Sequence, residues 1–245
     1  MELIEKKEFP YIEIQLNEII ENKIFKKCKF NTCKLSYLKN NDPSTASIIR
    51  DCEFINCIAT ENTSQTGGII ENVLIQNLKN TGVIFLKNVL FNKVVFKGEI
   101  GKVSLDSKIS NNVYLFDKDD GKYKITDNEI KLYDDFRINY YKNIDLALDI
   151  SEAEFRYCEI SYSIPANLIK RNPETQVLLK YEKIVKGDWK ENKILSESIL
   201  KYSFNESIRE KSDVIFIAPI ADKKEFPRYM ELIKILREEG IAELD

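Results

Sequence analysis

Histidine does not occur in this chain of 245 residues. Its absence removes the usual acid and base near neutral pH and the commonest metal ligand. Ser-His-Asp, Cys-His and His-metal mechanisms are therefore excluded for the chain acting alone. Glycine is scarce at 8 residues, and neither a phosphate-cradling glycine loop nor a nucleophile elbow is present. Proline occurs 6 times, methionine twice and tryptophan once. No run of about 18 apolar residues exists, so no helix is expected to span a membrane.

Charge of one sign is lacking as well. Residues 1 to 100 carry 13 basic and 12 acidic side chains, and the remainder 24 and 28, for a net charge of -3. A basic stripe for nucleic acid and an acidic one for mimicry of it are both disfavoured. The first ten residues lack the cationic and apolar regions of a secretory signal, so the cytoplasm is the expected compartment. With 43% hydrophobic and 31% charged residues, the chain has the composition of an ordinary folded protein.

What the chain does have is a five-residue beat. Cys28-Lys-Phe30-Asn-Thr is followed by Cys33-Lys-Leu35-Ser-Tyr, and the pattern returns at Cys52-Glu-Phe54 and in Ala153-Glu-Phe155-Arg-Tyr, Cys158-Glu-Ile160-Ser-Tyr. Ser47-Ile-Ile49, Gly68-Ile-Ile70, Val73-Leu-Ile75, Ile84-Phe-Leu86, Val89-Leu-Phe91 and Val94-Val-Phe96 keep the beat, with β-branched residues in place of Cys in several units. A period of five matches neither a helix nor a long strand, so each unit reads as a short strand and a corner. Four such corners close a coil of about twenty residues, and stacked coils bury the large residues along one axis.

The pattern resembles the pentapeptide-repeat family, most clearly at Cys28–Tyr37, Cys52–Asn56 and Leu148–Tyr162. The resemblance implies a right-handed parallel β-helix and a non-enzymatic binding role, in some members the protection of DNA gyrase. The expected fold class is thus β-rich: a parallel β-helix over residues 1–163, interrupted by a hairpin insertion at about 113–143, with an α/β capping domain over 164–245.

Five cysteines occur, four of them spaced as Cys28, Cys33, Cys52 and Cys57. The spacing fits two arms of a zinc site or a disulfide. Each also sits two positions before a large residue of the beat or where one belongs, and Cys158 repeats this without a partner nearby. A small packed thiol explains all five most simply, and no metal or cofactor is expected.

Val113–Asp117 and Lys122–Thr126 read as a hairpin around Asp120-Gly121. Residues 127 to 143 resist assignment, although Tyr133, Phe136, Tyr140 and Tyr141 fit the packed side of a helix. Helices are expected at Pro173–Lys186 and Ser196–Lys211, then a buried strand at Val214–Ala218. A last helix starts from the capping-box pair Asp222 and Glu225 and ends at Gly240.

The expected function is a non-catalytic protein-binding module of bacterial type, for example one that neutralises a toxin, protects a topoisomerase or serves in defence. Lys29, Lys34, Glu53, Glu154 and Glu159 hold the outward position of their units, and Trp189 is a candidate anchor, so these are the expected binding residues. Solubility of the exposed faces, and covering of the core edge by Trp189, are the plainer readings. The expected partner is another protein, with a homo-oligomer as a further possibility. The alternative is an enzyme or nucleotide sensor with a site near the end of the Val214–Ala218 strand, with Asp222, Lys223 and Lys224 as contacts.

Overall fold

A computed structural model describes residues 1–10, 13–14, 18–31, 34–35, 46–60, 64–108, 114–117, 121–124 and 126–243. Their organising element is a twelve-stranded sheet with every pairing parallel. Nine strands form a continuous path. It runs from Glu2–Glu5 through Lys23–Lys26, Ile48–Ile55 and Ile69–Gln76 to Leu90–Asp106, and returns through Val83–Lys87, Ser64–Thr66 and Lys34–Leu35 to Glu13–Ile14. Leu148–Ile160 also pairs with Leu90–Asp106. A four-stranded parallel sheet of two-residue strands lies beside it.

This topology corrects the expected right-handed parallel β-helix with a C-terminal α/β part. The chain is a mixed α/β fold around one large parallel sheet. Its units do not each break off after a short strand: Leu90–Asp106 and Leu148–Ile160 run as single strands of 17 and 13 residues. Leu90–Asp106 bends in the left-handed region at Lys93 and Gly98, yet its pairing with Ile69–Gln76 and Leu148–Ile160 carries on past the bends.

The large residues of the beat still face inward. Phe25, Phe30, Phe96 and Phe155 are buried and Phe54 partly so. Phe25 stacks on Phe54 at 5.0 Å and Phe9 on Phe30 at 5.1 Å. Neighbouring strands align like to like, with Ile48, Ile69 and Leu90 in one row and Phe54, Ile75 and Phe96 in another. Each fully buried Phe or Leu contributes roughly 1.5–3 kcal/mol, so these rows supply much of the stability.

Where the backbone bends between rows, the left-handed region recurs at Lys27, Asn56, Asn77 and Gly98. Asparagine tolerates it and bonds locally. Asn77 Nδ2 donates to Asn56 Oδ1 at 3.0 Å, and Asn77 Oδ1 accepts from the Glu99 N–H at 3.1 Å.

Residues 127–142 form helix α1 (Asp127–Lys142), started by a reciprocal capping box in which Thr126 Oγ1 accepts from the Glu129 N–H and the Glu129 carboxylate accepts from the Thr126 N–H. Its tyrosines bind it to the sheet core. Tyr133 Oη donates to the Asn88 carbonyl, and Tyr141 Oη lies 2.7 Å from Ser107 Oγ, which itself donates to the Val89 carbonyl. Both rings are buried, which pushes the Tyr133 phenol up and the Tyr141 phenol up to about 12. They therefore remain hydrogen-bond donors throughout the physiological range. The strands Tyr114–Asp117 and Gly121–Lys124 form the expected antiparallel hairpin, although its turn lies outside the described residues.

The C-terminal region departs from expectation at Gln176–Leu179, and the helix expected over Ser196–Lys211 begins at Leu200. Gln176–Leu179 is a strand, antiparallel to Val214–Ile217, and only Tyr181–Lys186 is helical (α2). Four consecutive buried residues, Gln176 to Leu179, need a sheet rather than a one-sided helix. Helices α3 (Lys193–Ser196), α4 (Leu200–Glu210) and α5 (Phe226–Glu238) pack around this pair, burying Leu195, Leu200, Phe204, Ile233 and Leu236. Among the described residues, no helix is long and apolar enough to cross a membrane.

Candidate functional site: a cleft between the sheet and the C-terminal helix

Alternation along three adjacent strands builds the first wall. Val83, Lys102 and Tyr157 align in one row, and Phe85, Ser104 and Glu159 in the next. Their neighbours Ile84, Leu86, Val103 and Leu105 are buried, so these rows face away from the core. Phe85 remains 41% exposed, an unusual cost for a phenylalanine. Lys87 Nζ sits over its ring, 5.1 Å from the centroid.

The second wall comes from the segment after the Val214–Ile217 strand. The Ala221 N–H donates to the Phe155 carbonyl at 3.1 Å and fixes this segment against the sheet. Asp222 Oδ1 then accepts from the N–H groups of Lys224 and Glu225, at 3.1 and 3.3 Å. The expected capping box is thus a local turn: α5 begins after Glu225, and Asp222 shapes the approach to it. Tyr229, from the first turn of α5, stacks flat on Phe216 at 5.1 Å.

Between the walls lies a cleft of ≈ 350 Å³, lined by Phe85, Lys102, Arg156, Tyr157, Cys158, Glu159, Pro219, Asp222, Glu225 and Tyr229 among others. Charges of both signs meet an aromatic surface there. Tyr157 Oη donates to Glu159 Oε2 at 3.0 Å, orienting that carboxylate. Arg156 reaches Glu99 at 3.6 Å, and Arg228 reaches Glu225 at 3.7 Å. Burial pushes the Tyr157 phenol and the Cys158 thiol up, each further raised by the Glu159 charge, and burial raises Tyr229 too. All three stay protonated near neutral pH, as donors or packing surface rather than nucleophiles.

Glu206, on α4, extends this acidic side. Desolvation first and the charge of Glu159 second hold its carboxyl above the ordinary value of 4.5, while Arg209 acts the other way and Asp106 and Glu210 add to the rise. A carboxyl whose folded value is raised contributes stability that is fully present below its unfolded value and is lost as pH rises through the folded value. Glu206→Gln, which cannot ionise, should keep this contribution at every pH. Thermal unfolding midpoints of variant and parent should therefore converge as pH falls toward 4.5 and separate in favour of the variant toward pH 7. Equal midpoints at every pH would contradict the assignment.

Of the six residues expected from the sequence, the cleft takes Glu159 alone. Asp222, from the alternative reading, joins it from the opposite wall. Glu154 is exposed beside Glu99 on the same strand pair but outside the lining. Lys29 pairs with Glu8 at 3.0 Å, and its hydrogen bond, then that of Asn31 and the Lys29 charge, hold that carboxyl below its usual range. Glu53 is half-buried between Ile24 and Leu74, and the Lys34 side chain lies outside the described residues. Trp189 is a core residue rather than an anchor: it is 4% exposed, donates to the Ile184 carbonyl at 3.1 Å and packs on Phe204 at 4.7 Å. Cys28, Cys52 and Cys57 are buried thiols that donate to backbone carbonyls, while Cys33 lies outside the described residues.

Sequence reasoning missed Phe85, Lys102, Arg156, Tyr157 and Tyr229. Arg156 and Tyr157 stood inside the best-matching block but occupied its variable positions, and Phe85 stood in the beat at an apolar outward site. An apolar residue where a polar one belongs was the available signal. No protein-family model matches the chain, and no curated protein matches it.

Proposed function

We propose that this protein is a non-catalytic protein-binding module that grips another protein through the cleft between its sheet and α5. The observation that carries this reading is Phe85, an exposed ring set among Tyr157, Tyr229 and charges of both signs. Aromatic anchors ringed by polar groups are where binding energy concentrates in protein interfaces. Binding rather than catalysis is favoured by the protonated thiol and phenols, and by the engagement of Asp222 in its turn. The reading places the protein in the cytoplasm, a setting in which the unpaired Cys28, Cys52 and Cys57 remain reduced.

Affinity capture from the native host, followed by titration of the captured protein, tests this. Phe85→Ala and Glu159→Lys should each weaken binding by about thirtyfold, the effect of losing roughly 2 kcal/mol at an interface centre. Glu154→Lys, on the same strand but outside the cleft, should bind as the parent does. Full affinity in both cleft variants would contradict the proposal.

A further inference from the structure

The cleft holds a charge that its own chain leaves unanswered. Glu159 ends the row that begins at the exposed ring of Phe85, with Ser104 between them. Its Oε2 accepts from the neutral Tyr157 hydroxyl at 3.0 Å, and among the described residues no Lys or Arg forms an ion pair with it. The cations around the cleft are spent elsewhere or lie in another row. Arg156 reaches Glu99, Arg228 reaches Glu225 and Lys87 sits over the Phe85 ring, while Lys102 shares the row of Tyr157. Behind Glu159 the ground is acidic too, since desolvation and then the Glu159 charge hold Glu206 above its ordinary value. On the facing wall Asp222 spends Oδ1 on two N–H groups of its own turn, and among the described residues its Oδ2 accepts no hydrogen bond. Tyr229 closes that wall with a ring fixed in place by its stacking on Phe216.

We propose that the cleft seats an arginine side chain of the partner protein, its guanidinium on the Glu159 carboxylate and its stem along the aromatic wall. This rests on the cleft being the site of partner contact. A carboxylate offers about four lone-pair sites, so accepting from Tyr157 leaves room for a two-pronged guanidinium, and the Tyr157 bond orients the carboxylate in advance. A guanidinium is weakly hydrated and lies flat on aromatic rings, whereas an ammonium holds its water more tightly and lacks the fork. An acidic side chain at this end would meet Glu159, Asp222 and Glu206 together. An apolar one would cover the Glu159 charge without pairing it, which is costly. Arginine alone among the side chains answers the carboxylate and the rings at once.

Titration of the isotope-labelled full chain with the capped peptide acetyl-Gly-Arg-Gly-amide, followed by amide chemical shifts, tests the proposal without the partner. The signals of Tyr157, Glu159 and Tyr229 should move and saturate with a dissociation constant on the order of 1 mM. The same peptide carrying citrulline, which matches arginine in shape without its charge, should bind about tenfold more weakly. Glu159→Gln should weaken the arginine peptide by about tenfold, while Glu154→Gln, outside the cleft, should bind it as the parent does. No saturable shift at the cleft, equal binding of the citrulline peptide, or a Glu159→Gln chain that binds as the parent does would each overturn the proposal. The two readings fail separately. Lost partner capture in Phe85→Ala beside a silent arginine peptide removes the arginine and leaves the binding cleft standing, whereas full capture in Phe85→Ala removes the cleft itself.

Discussion

Truncation of Phe155 to alanine is expected to lower the unfolding free energy by about 3–5 kcal/mol, the range for deleting a buried aromatic ring. Phe155 is 1% exposed, lies opposite Ile100 and meets Phe96 with ring centroids 5.9 Å apart. Its strand is paired with Leu90–Asp106 along one side and tied at Phe155 by the Ala221 N–H on the other, so it closes poorly around a void, and the cavity cost adds to the lost transfer energy. Its own backbone also matters, because the Phe155 carbonyl receives the Ala221 N–H that fixes the cleft's second wall. Urea titration followed by far-UV dichroism measures the effect. Phe85→Ala is the control: its ring is exposed, and the same titration should place it within about 1 kcal/mol of the parent.

Gly98→Ala is expected to cost about 2–4 kcal/mol, combining left-handed strain in a non-glycine residue with a lost hydrogen bond. Gly98 has φ +69°, and a Cβ there would lie 2.1 Å from Asn77 Oδ1. Asn77 is short and already committed to the Glu99 N–H and Asn56 Oδ1, so it has no free rotamer to retreat into. Asn77→Gly in the same chain, which suits the left-handed φ of +52° at position 77, should recover the steric part and leave the dihedral part at 98. The double variant should accordingly fall between the parent and Gly98→Ala in urea midpoint. A Gly98→Ala protein as stable as the parent would show that the bend between rows is not held as described.

Much of the inward pattern was legible because it depends on local alternation. Phe25, Phe30, Phe96 and Phe155 lie inside as the five-residue spacing required. What that spacing could not reveal was how far each strand continues. Bends at Lys93 and Gly98 do not end Leu90–Asp106, whose pairing runs on through them, and the result is a large parallel sheet within a mixed α/β fold where a β-helix was expected. Helix α1 resisted assignment, although its aromatic residues fit a packed helix side and Thr126 and Glu129 spell a capping box, because its outer face carries Leu132 and Ile138 and blurs the amphipathic stripe. The Gln176–Leu179 strand was read as a helix because Val177, Leu178 and Tyr181 also fit a helical face, and only pairing with Val214–Ile217 decides between the two.

The cleft was the least legible feature. Its walls come from three separate segments, Val83–Lys102, Arg156–Glu159 and Pro219–Tyr229, and no periodicity within any one announces the others. Glu159 was found because it ends a clear repeat unit. Tyr229 was read only as part of the α5 stripe, which it is, yet its ring also closes the cleft against Phe216. Side chains that serve a core and a surface at once look like core residues in a sequence.

The central claim is that partner contact occurs in the cleft rather than on the outward ladder of the sheet. Photo-crosslinking tests it most directly, with a benzophenone amino acid placed in turn at Phe85, Glu53 and Lys29 and the captured partner present. The account predicts covalent capture from position 85 and none from positions 53 and 29. Capture from 53 or 29 with position 85 silent would contradict it.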